Sequence, residues 1–565
     1  MNKHDQGRRR FIQGSLASAL LYGSGSLPIF TQNAWGSAAP LQNRVLVDLF
    51  LDGGPDFRHL VAPAFDTNPA NFGTRYWANR QRSHNLNANG ISGLQRTQQS
   101  RWEQDFFPIT VGDNSNGWSN NVIDAGNLNT GVTFGIWREA GWLIRMFRQG
   151  NVALICNAVG GTNRAHDLSQ LMAFQGDLNI DLQDNNRSGW GGRLARASGG
   201  RAIATTSSPS PFSFGPVGQP FTSSYNPNAI DNSDLLAVEN SREFGLFQAR
   251  LDNFAFGGND YDDKMGRAAA SYYDALRQEN LSNTYQRFLD HEFNARSLGE
   301  EIQERLDLIP IPSLIQSLQF GGANGVNPGP ANNGDFVSQR PTVHRTSFGR
   351  QILNTYDLIA LNNLSTNING TPVALNPRVL SLGFGGWDTH GDQREVDSRL
   401  VTDPHNPFVS RGIENGFKDI FGGPSSEVDS SQPHSGYSAL WESLNGLNRQ
   451  NVVFTIYGEF GRQIRDNGGN GTDHGSGNIM MVIGENVRGG IYGEMFPDEE
   501  IPSYDEAPNR TPDITPRSEI DSLFSKVCDW VSPNSGSLVF PRTAPSFSGV
   551  RPLEEFDGIF DNLFI

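Results

Sequence analysis

The chain has 565 residues with a formal net charge of −16, and it contains 63 glycines, 31 prolines and two cysteines. This length permits one large α/β domain with an insertion, and the apolar and aromatic residues between the glycines and prolines favour ordered loops over disorder. The acidic charge argues against nucleic acid as a partner, because such a surface repels phosphate backbones.

The first predicted element is a signal peptide over residues 1–39. The run Arg8-Arg9-Arg10-Phe11-Ile12 follows the twin-arginine pattern of two arginines, any residue, phenylalanine and an apolar residue. A weakly apolar stretch over 16–30 and small residues over 36–39 complete the order of a signal peptide. Glycines and a proline interrupt the apolar stretch, which argues against a membrane anchor. We therefore expect the twin-arginine translocase to export the chain, so that the mature protein is periplasmic or secreted.

The mature part, residues 40–565, begins with a strand and helix pattern. Residues 45–51 form a short, mostly apolar run that ends in a turn sequence, which predicts a buried parallel strand. Over residues 133–149 the apolar positions fall mainly at helical spacing, which predicts a helix. A second strand over 152–159 follows directly, so these pieces predict a βαβ architecture with a parallel sheet.

The two cysteines, Cys156 and Cys528, are too few for a disulfide scaffold. Cys156 lies within the apolar second strand, where a free cysteine behaves as a small hydrophobe. The pattern therefore predicts a buried thiol at Cys156, and a single bridge to Cys528 stays open as the alternative.

The pattern changes over residues 200–345, which are predicted to form an inserted helical and loop subdomain. Loops rich in proline and glycine precede a long charged helical stretch over about 262–308. A glycine- and asparagine-rich linker over 321–330 comes next. Such an insertion could form a cap over the main domain or a surface for a partner.

Helices and strands alternate again after the insertion. A helix that contains Phe348 and Ile359 precedes a strand over 379–383. This alternation is typical of a sheet that helices cover. The remaining predictions are a helix over 437–447, strands over 452–457 and 479–483, and a helix that Ser518 caps and that continues to about Val531.

Polar residues follow several predicted strands, at the edge where parallel α/β sheets bind ligands. Each residue alone is more typical of a turn or a helix cap than of a ligand. Together they bring three carboxylates and three imidazoles to strand ends, beside glycines that let backbone segments approach closely. Because these groups are ligands of divalent ions, they predict a metal site for Zn, Ca, Mg or Mn. The set consists of Asp52, His166, Asp388, His390, Asp473 and His474.

Six such ligands suffice for one metal ion, and for two ions if water or substrate completes the coordination shells. Two ions held a few ångström apart could clamp a phosphoryl or sulfuryl group between them. Such a clamp would activate the attacking oxygen and neutralise the leaving oxygen.

Several short segments stand out by their order along the chain. They are Leu49-Phe-Leu-Asp-Gly-Gly-Pro-Asp56, Asn163-Arg-Ala-His-Asp167, Gly386-Trp-Asp-Thr-His390, Tyr457-Gly-Glu-Phe-Gly-Arg462, and Gly471-Thr-Asp-His-Gly475 with Gly489-Gly-Ile-Tyr-Gly493. In this order the segments resemble the domain of unknown function 1501 family, which consists of twin-arginine-exported bacterial proteins. That family is grouped by fold with alkaline phosphatases and sulfatases. The resemblance spans roughly residues 45–541 and covers the insertion poorly.

The resemblance implies an alkaline phosphatase-like α/β fold, in which helices flank a mostly parallel sheet. A nucleophilic serine or threonine in such enzymes stands at the start of the helix after the second strand. Thr162 occupies that position relative to His166 and is the candidate nucleophile, with Ser169 as a second candidate. An ordinary cap or loop threonine is the alternative for Thr162. The ligands that the resemblance implies are Asp52, Asp388, His390, Asp473 and His474.

The chain departs from the family pattern at two places. Relatives commonly carry serine where this chain has Ala165, so that a nucleophile at this position would be missing. The related enzymes also have a final histidine ligand near the C-terminus, whereas no histidine follows His474 here. His166 could substitute for that ligand, or one metal site could be missing.

Four further polar residues follow the predicted strands. Glu459 and Arg462 could orient metal ligands or clamp an anion, with an ion pair inside their loop as the alternative. Arg58 and His59 could also contact an anionic ligand, although we expect them to be solvated at the surface.

These observations predict an exported metal-dependent hydrolase of phosphate or sulfate esters, acting on an anionic small molecule or polymer. The alternative is an exported binding or assembly protein that keeps the fold without catalysis. The surviving aspartates and histidines favour the hydrolase, whereas Ala165 and the missing late histidine favour the binding protein.

Overall fold

A computed structural model describes most of the chain beyond residue 43. Residues 1–43, which contain the predicted signal peptide, lie outside the described part. The described residues are 44–68, 70–84, 86, 97–178, 180, 186–206, 208–232, 235–239, 241–243, 305–306, 308–318, 347–363, 375–391, 393–394, 413–498, 500–501, 514–540 and 558–565.

Strands and helices alternate along much of this chain. The strands are β1 Val45–Asp52, β2 Val61–Pro63, β3 Phe106–Thr110, β4 Ile123–Ala125, β5 Thr133–Trp137, β6 Val152–Val159, β7 Arg201–Ala204, β8 Pro216–Val217, β9 Asn226–Ile230, β10 Leu235–Ala237, β11 Pro377–Gly385, β12 Val452–Tyr457, β13 Arg462–Asp466, β14 Thr472–His474, β15 Asn478–Ile483, β16 Gly490–Tyr492 and β17 Ser518–Glu519. The helices are α1 Phe57–Leu60, α2 Phe72–Asn79, α3 Gln98–Asp105, α4 Gly141–Arg148, α5 His166–Gln175, α6 Trp190–Ala197, α7 Ser313–Gln316, α8 Ser347–Asn363, α9 Ile413–Phe421, α10 Gly436–Ser443, α11 Ile520–Val531 and α12 Gly536–Val539.

One large mixed sheet organises the fold. Its strand order is β10-β7-β11-β1-β12-β15-β6-β16-β4, and β17 pairs with β6. Among the described strands of this sheet, β15 runs antiparallel to its neighbours, β12 and β6, and the other pairings are parallel. The prediction of an α/β protein with a mostly parallel sheet is confirmed.

Helices cover both faces of this sheet. Because side chains alternate along a strand, Val47 and Leu49 of β1 pack into one apolar cluster, whereas Leu46 and Phe50 pack into another. The first cluster includes residues of α4, α8, α9 and α10, and the second includes residues of α5, α6 and α11. Burial on both faces explains why β1, β6 and β12 are mostly apolar in the sequence, without a regular alternation of polar and apolar residues.

Smaller sheets flank the large one. Strands β2, β5 and β3 form a three-stranded antiparallel sheet, and β13 pairs with β14 as an antiparallel hairpin. Strands β8 and β9 form a further pair. The β13–β14 hairpin follows β12 and carries candidate metal ligands.

Two predictions of local structure were wrong. Residues 133–149 are not one helix, because Thr133–Trp137 forms β5 and only Gly141–Arg148 is helical. Ser518 does not cap the late helix: it lies in β17, and Glu519 is the residue before the first helical turn of α11. In both places pairing with a distant strand determines the backbone conformation. By contrast, Cys156 and Cys528 are free and buried, as the sequence predicts for Cys156.

The region predicted as an insertion, 200–345, contributes strands to the large sheet. β7 pairs with β11, and β10 pairs with β7. The predicted helix over 262–308 falls almost entirely outside the described residues, so the inserted subdomain stays a prediction. Among the described residues, no helix combines the length and apolar character needed to span a bilayer.

Candidate metal centre

The candidate site lies at the edge of the sheet where several parallel strands end. β11 and β12 are both parallel to β1. β6 has the same direction as β12, because each is antiparallel to β15. The loops that follow β1, β6, β11 and β12 therefore leave the sheet at one edge, which is the usual ligand-binding edge of an α/β sheet.

Four side chains from these loops converge at this edge. The carboxylate of Asp388 lies in the centre, with Oδ1 3.0 Å from His474 Nε2 and 3.2 Å from His390 Nε2. Its other oxygen, Oδ2, is 3.4 Å from His166 Nε2. The Nε2 atoms of His390 and His474 are 2.9 Å apart. His166, Asp388 and His474 each offer one ligand atom within 4.8 Å of the others, and His390 contacts two of the three.

The second nitrogen of each imidazole is held by an acceptor. His166 Nδ1 is 2.8 Å from Glu459 Oε1, and His390 Nδ1 is 3.0 Å from Asp473 Oδ1. His474 Nδ1 is 2.7 Å from the main-chain carbonyl oxygen of Arg164. An acceptor at Nδ1 selects the tautomer whose Nε2 carries a free lone pair, and metal-binding histidines are usually held in this way.

Arg462 is a buried support for Asp388. Its Nη2 donates to Asp388 Oδ1 at 2.7 Å, and its side chain is fully buried. The same guanidinium also donates to the carbonyl oxygens of Gly53, Gly54, Trp387 and Thr472. These bonds tie the loops after β1, β11 and β12 together. They occupy Arg462 within the protein, which favours the predicted orienting role over the predicted anion clamp.

Glu459 is the buried partner of His166. Both carboxylate oxygens accept from the backbone N–H of Gly53, at 3.0 and 3.3 Å. Burial raises the pKa of the Glu459 carboxyl, and the hydrogen bond with His166 offsets only part of this effect. A Cβ atom at Gly53, where φ is +118°, would collide with the backbone nitrogen of Asp388. Glycine is therefore required where the first loop approaches the third.

The charges at the centre favour the protonation states that bind a cation. Burial raises the pKa of Asp388, but the hydrogen bond and the positive charge of Arg462 lead the effects that outweigh burial and hold this pKa well below its usual value. Burial lowers the pKa of the His474 imidazole. Ionised aspartate and neutral imidazole are the forms that metal ions bind.

Asp473 and Asp52, both predicted as ligands, contact other partners. Asp473 Oδ1 accepts from Asn467 Nδ2 at 3.0 Å and faces Nδ1 of His390, the nitrogen directed away from Asp388. Asp52 accepts a hydrogen bond from Gln170 of α5. In this arrangement Asp473 orients His390, and Asp52 joins the end of β1 to the helix that carries His166.

The two candidate nucleophiles face other atoms. The hydroxyl of Thr162 donates to the sulfur of Met172 at 3.4 Å, and the hydroxyl of Ser169 donates to the carbonyl oxygen of Asn163. Ala165 precedes the first turn of α5 and has no side-chain hydroxyl. Thr162 therefore stays a sequence-based prediction.

Arg58 and His59 are buried, so the expectation that they are solvated was wrong. Arg58 donates to the carbonyl oxygen of Gly477 at 2.8 Å, and His59 Nε2 lies 3.0 Å from Glu414 Oε1. Their helix, α1, has all of its residues buried. The sequence offered no amphipathic pattern that could reveal this, since the helix has only four residues.

The geometry of the four converging side chains is compatible with one divalent ion. Two nitrogen ligands about 2.1 Å from an ion lie about 3.4 Å apart at the tetrahedral angle that Zn²⁺ usually adopts, and about 3 Å apart at a right angle. The Nε2 atoms of His390 and His474 are 2.9 Å apart, which matches the right-angle arrangement. His166 Nε2 is buried and has no hydrogen-bond partner among the described residues. Such an atom is costly unless something binds it.

Comparison with known proteins relates part of the chain to a protein family. Residues 426–509 match the family model described as Protein of unknown function (DUF1501). The matched segment contains Glu459, Arg462, Asp473 and His474. No curated protein and no solved structure is significantly similar to this chain. The match supports a relation of this segment to a protein family of unknown function.

Proposed function

We propose that the protein is an exported metal-dependent hydrolase of phosphate or sulfate esters. One observation carries the proposal: three imidazole Nε2 atoms surround the Asp388 carboxylate, and each imidazole is held at Nδ1 by an acceptor. We further propose that the large sheet belongs to the alkaline phosphatase and sulfatase type that the sequence resembles. The strand-end position of the site supports this assignment.

Three nitrogens and one carboxylate favour a particular class of ion. Imidazole suits Zn²⁺, whereas Mn²⁺, Ca²⁺ and Mg²⁺ prefer oxygen ligands. Of the ions that the sequence suggests, Zn²⁺ therefore fits this set better than the other three. His166, Asp388, His390 and His474 would hold the ion.

Some residues of the site would bind the ion, and others would orient the ligand side chains. When bound, a divalent ion supplies Lewis-acid polarisation of an ester oxygen. Arg462 holds the Asp388 carboxylate, and Glu459 and Asp473 fix the rings of His166 and His390. The side chains of Asp388 and His390 are 46% and 44% exposed, so a substrate can reach this face of the centre from solvent.

Thr162 is the proposed nucleophile of this reaction. It precedes His166 by four residues and lies between the end of β6 and α5, whose first residue is His166. Its hydroxyl donates to a thioether, which is a weak acceptor, so it can turn towards a substrate at small cost.

The first prediction concerns the ion and the reaction together. We expect purified mature protein to bind about one transition-metal ion per chain, and to bind Zn²⁺ at least about tenfold more tightly than Mn²⁺, Ca²⁺ or Mg²⁺. The metal-loaded protein should hydrolyse aryl phosphates or aryl sulfates. Elemental analysis, metal titration and release of the aryl alcohol measure these quantities. A protein that binds none of these ions would contradict the site and the mechanism together.

A second candidate function is an exported binding or assembly protein that keeps the metal centre without turnover. The hydroxyls of Thr162 and Ser169 both donate to atoms outside the centre, which favours this candidate. It predicts a bound transition metal with no hydrolysis of any aryl ester. The titration and the turnover assay therefore separate the two candidates.

Export by the twin-arginine route is also part of the proposal. Replacing Arg8 and Arg9 by lysine keeps the charge but removes the twin-arginine pair, so most of the chain should stay uncleaved in the cytoplasm of a bacterial host. Cell fractionation and immunoblotting measure this. The Arg10→Lys variant is the matched control, because the pattern allows any residue there. Normal export of the double variant would refute this route.

A further inference from the structure

We propose that Gln393 is a positioning residue of the metal centre, an inference that rests on the proposed function because it concerns the geometry of the bound ion. Gln393 is 1% exposed. Its Oε1 accepts from the hydroxyls of Thr472, at 2.9 Å, and Thr389, at 3.2 Å. Its Nε2 donates to Asp56 Oδ2 at 2.7 Å and lies 3.2 Å from His59 Nδ1.

These contacts use the whole hydrogen-bonding capacity of the amide. An amide oxygen accepts two hydrogen bonds and an amide nitrogen donates two, and Gln393 has two partners on each side. The orientation of the amide is unambiguous, because the reverse orientation would place Oε1 against the carboxylate of Asp56. Asp56 is itself ion-paired with the buried Arg80, and His59 is bonded to the buried Glu414. Gln393 is therefore hydrogen-bonded to a buried network of charged side chains that includes Asp56, Arg80 and Glu414.

The two threonines connect this anchor to the metal centre. Thr389 stands between Asp388 and His390, and Thr472 directly precedes Asp473 and His474. The backbone N–H of Thr472 also donates to the carbonyl oxygen of Thr389 at 3.2 Å. One buried amide thus holds the two loops that supply three of the four candidate ligands. Without it, the loops keep their backbone bond and their bonds to Arg462, but they lose the side-chain link to Asp56 and His59.

The Gln393→Met variant tests this role. Methionine has a similar volume and none of the hydrogen bonds. We expect the variant to bind Co²⁺ about tenfold more weakly than the original protein, with a changed visible absorption spectrum of the bound Co²⁺. The spectrum reports the ligand geometry, which a general loss of stability would leave unchanged in the molecules that remain folded.

Asn354→Leu is the matched control, since Asn354 is a buried amide with partners elsewhere. Its Nδ2 donates to the carbonyl oxygens of Thr205, Val238 and Glu239, and its Oδ1 accepts from the N–H of Ser241. We expect this variant to lower the thermal midpoint while the Co²⁺ affinity and spectrum stay as in the original protein. An equal change of spectrum in both variants would refute a specific role for Gln393.

A second variant covers the case in which Gln393→Met does not fold. Thr472→Val removes one hydroxyl donor to Gln393 and keeps the β-branched shape, and it should shift the Co²⁺ spectrum in the same direction by a smaller amount. If a folded Gln393→Met or Thr472→Val variant has the original affinity and spectrum, the positioning role is wrong. If the original protein gives no Co²⁺ spectrum, the proposed metal centre fails, which is a separate and distinguishable result.

Discussion

Replacing His474 by alanine should weaken metal binding by at least about 100-fold, which exceeds the effect of losing a residue that only orients a ligand. His474 Nε2 lies 3.0 Å from Asp388 Oδ1 and 2.9 Å from His390 Nε2, so its loss removes one nitrogen from the middle of the ligand set. Hydrolysis of aryl esters at equal metal concentration should fall to about 1% or less. Competition with a chelator of known affinity measures the first quantity, and initial rates measure the second.

The His434→Ala variant is the matched control for this prediction. His434 is also partly buried, but its Nδ1 bonds to Ser438 Oγ at 2.6 Å at the start of α10. It should bind metal and turn over substrate like the original protein. If His474→Ala keeps full metal affinity and full activity, the centre is not at this edge of the sheet.

The clustering at this edge could be predicted from the sequence because one topological rule covers it. His166, Asp388 and His390 follow β6 and β11, and His474 lies in the hairpin after β12. The strands β6, β11 and β12 have the same direction and end at the same edge. The rule concerns the ends of strands and not the directions of side chains. Whether an ion binds there stays a prediction.

The sequence could not predict in the same way which residues face the centre of the site and which only orient those residues. Asp473 and His474 are neighbours in β14, and neighbouring side chains of a strand point to opposite sides. Only His474 therefore faces Asp388, and Asp473 reaches the far nitrogen of His390. The partner of Asp52 depends on where α5 packs, which short motifs do not reveal. Gln393 lies in no recognisable sequence motif. Its proposed role depends on the segments that contain Asp56, Thr389 and Thr472, which only the fold brings together.

The sequence also predicted some strands of the fold correctly and missed others. Long apolar runs such as β1, β6 and β12 are buried on both faces, so composition alone identifies them. The β5 strand was missed because its apolar residues continue into those of α4, and the combined pattern imitates one helix. Gly135, which packs against Trp102 and Phe106, was a sign in the sequence against a continuous helix, because glycine disfavours a helix interior. The antiparallel direction of β15 could also not be predicted from the sequence, because a fully buried strand has the same composition in either direction.

The sheet also contains an ionisable group that should make the stability of the protein depend on pH. Asp48 lies in the middle of β1 and is 1% exposed. Only hydroxyls contact its carboxyl among the described residues: Thr455 Oγ1 donates at 2.6 Å and Tyr457 Oη at 3.4 Å. Burial raises the pKa of Asp48 to about 8, and these two hydrogen bonds offset burial only in part. In the unfolded chain an aspartate has a pKa of about 3.9.

Asp48→Asn should therefore stabilise the protein increasingly as the pH rises from 5 towards 8. In this range the folded protein holds a proton on Asp48 that the unfolded chain has lost, so the stability contribution of Asp48 is full below about pH 4 and declines as the pH approaches 8. The decline is about 1.4 kcal/mol per pH unit, and asparagine does not titrate. The thermal midpoint of the variant minus that of the original protein should therefore rise with pH over this range. Asp113→Asn is the control, since Asp113 is exposed and hydrogen bonds from Ser115 lower its pKa, which gives a flat difference above pH 5. A flat difference for Asp48→Asn as well would mean that the buried carboxyl is ionised in the folded protein.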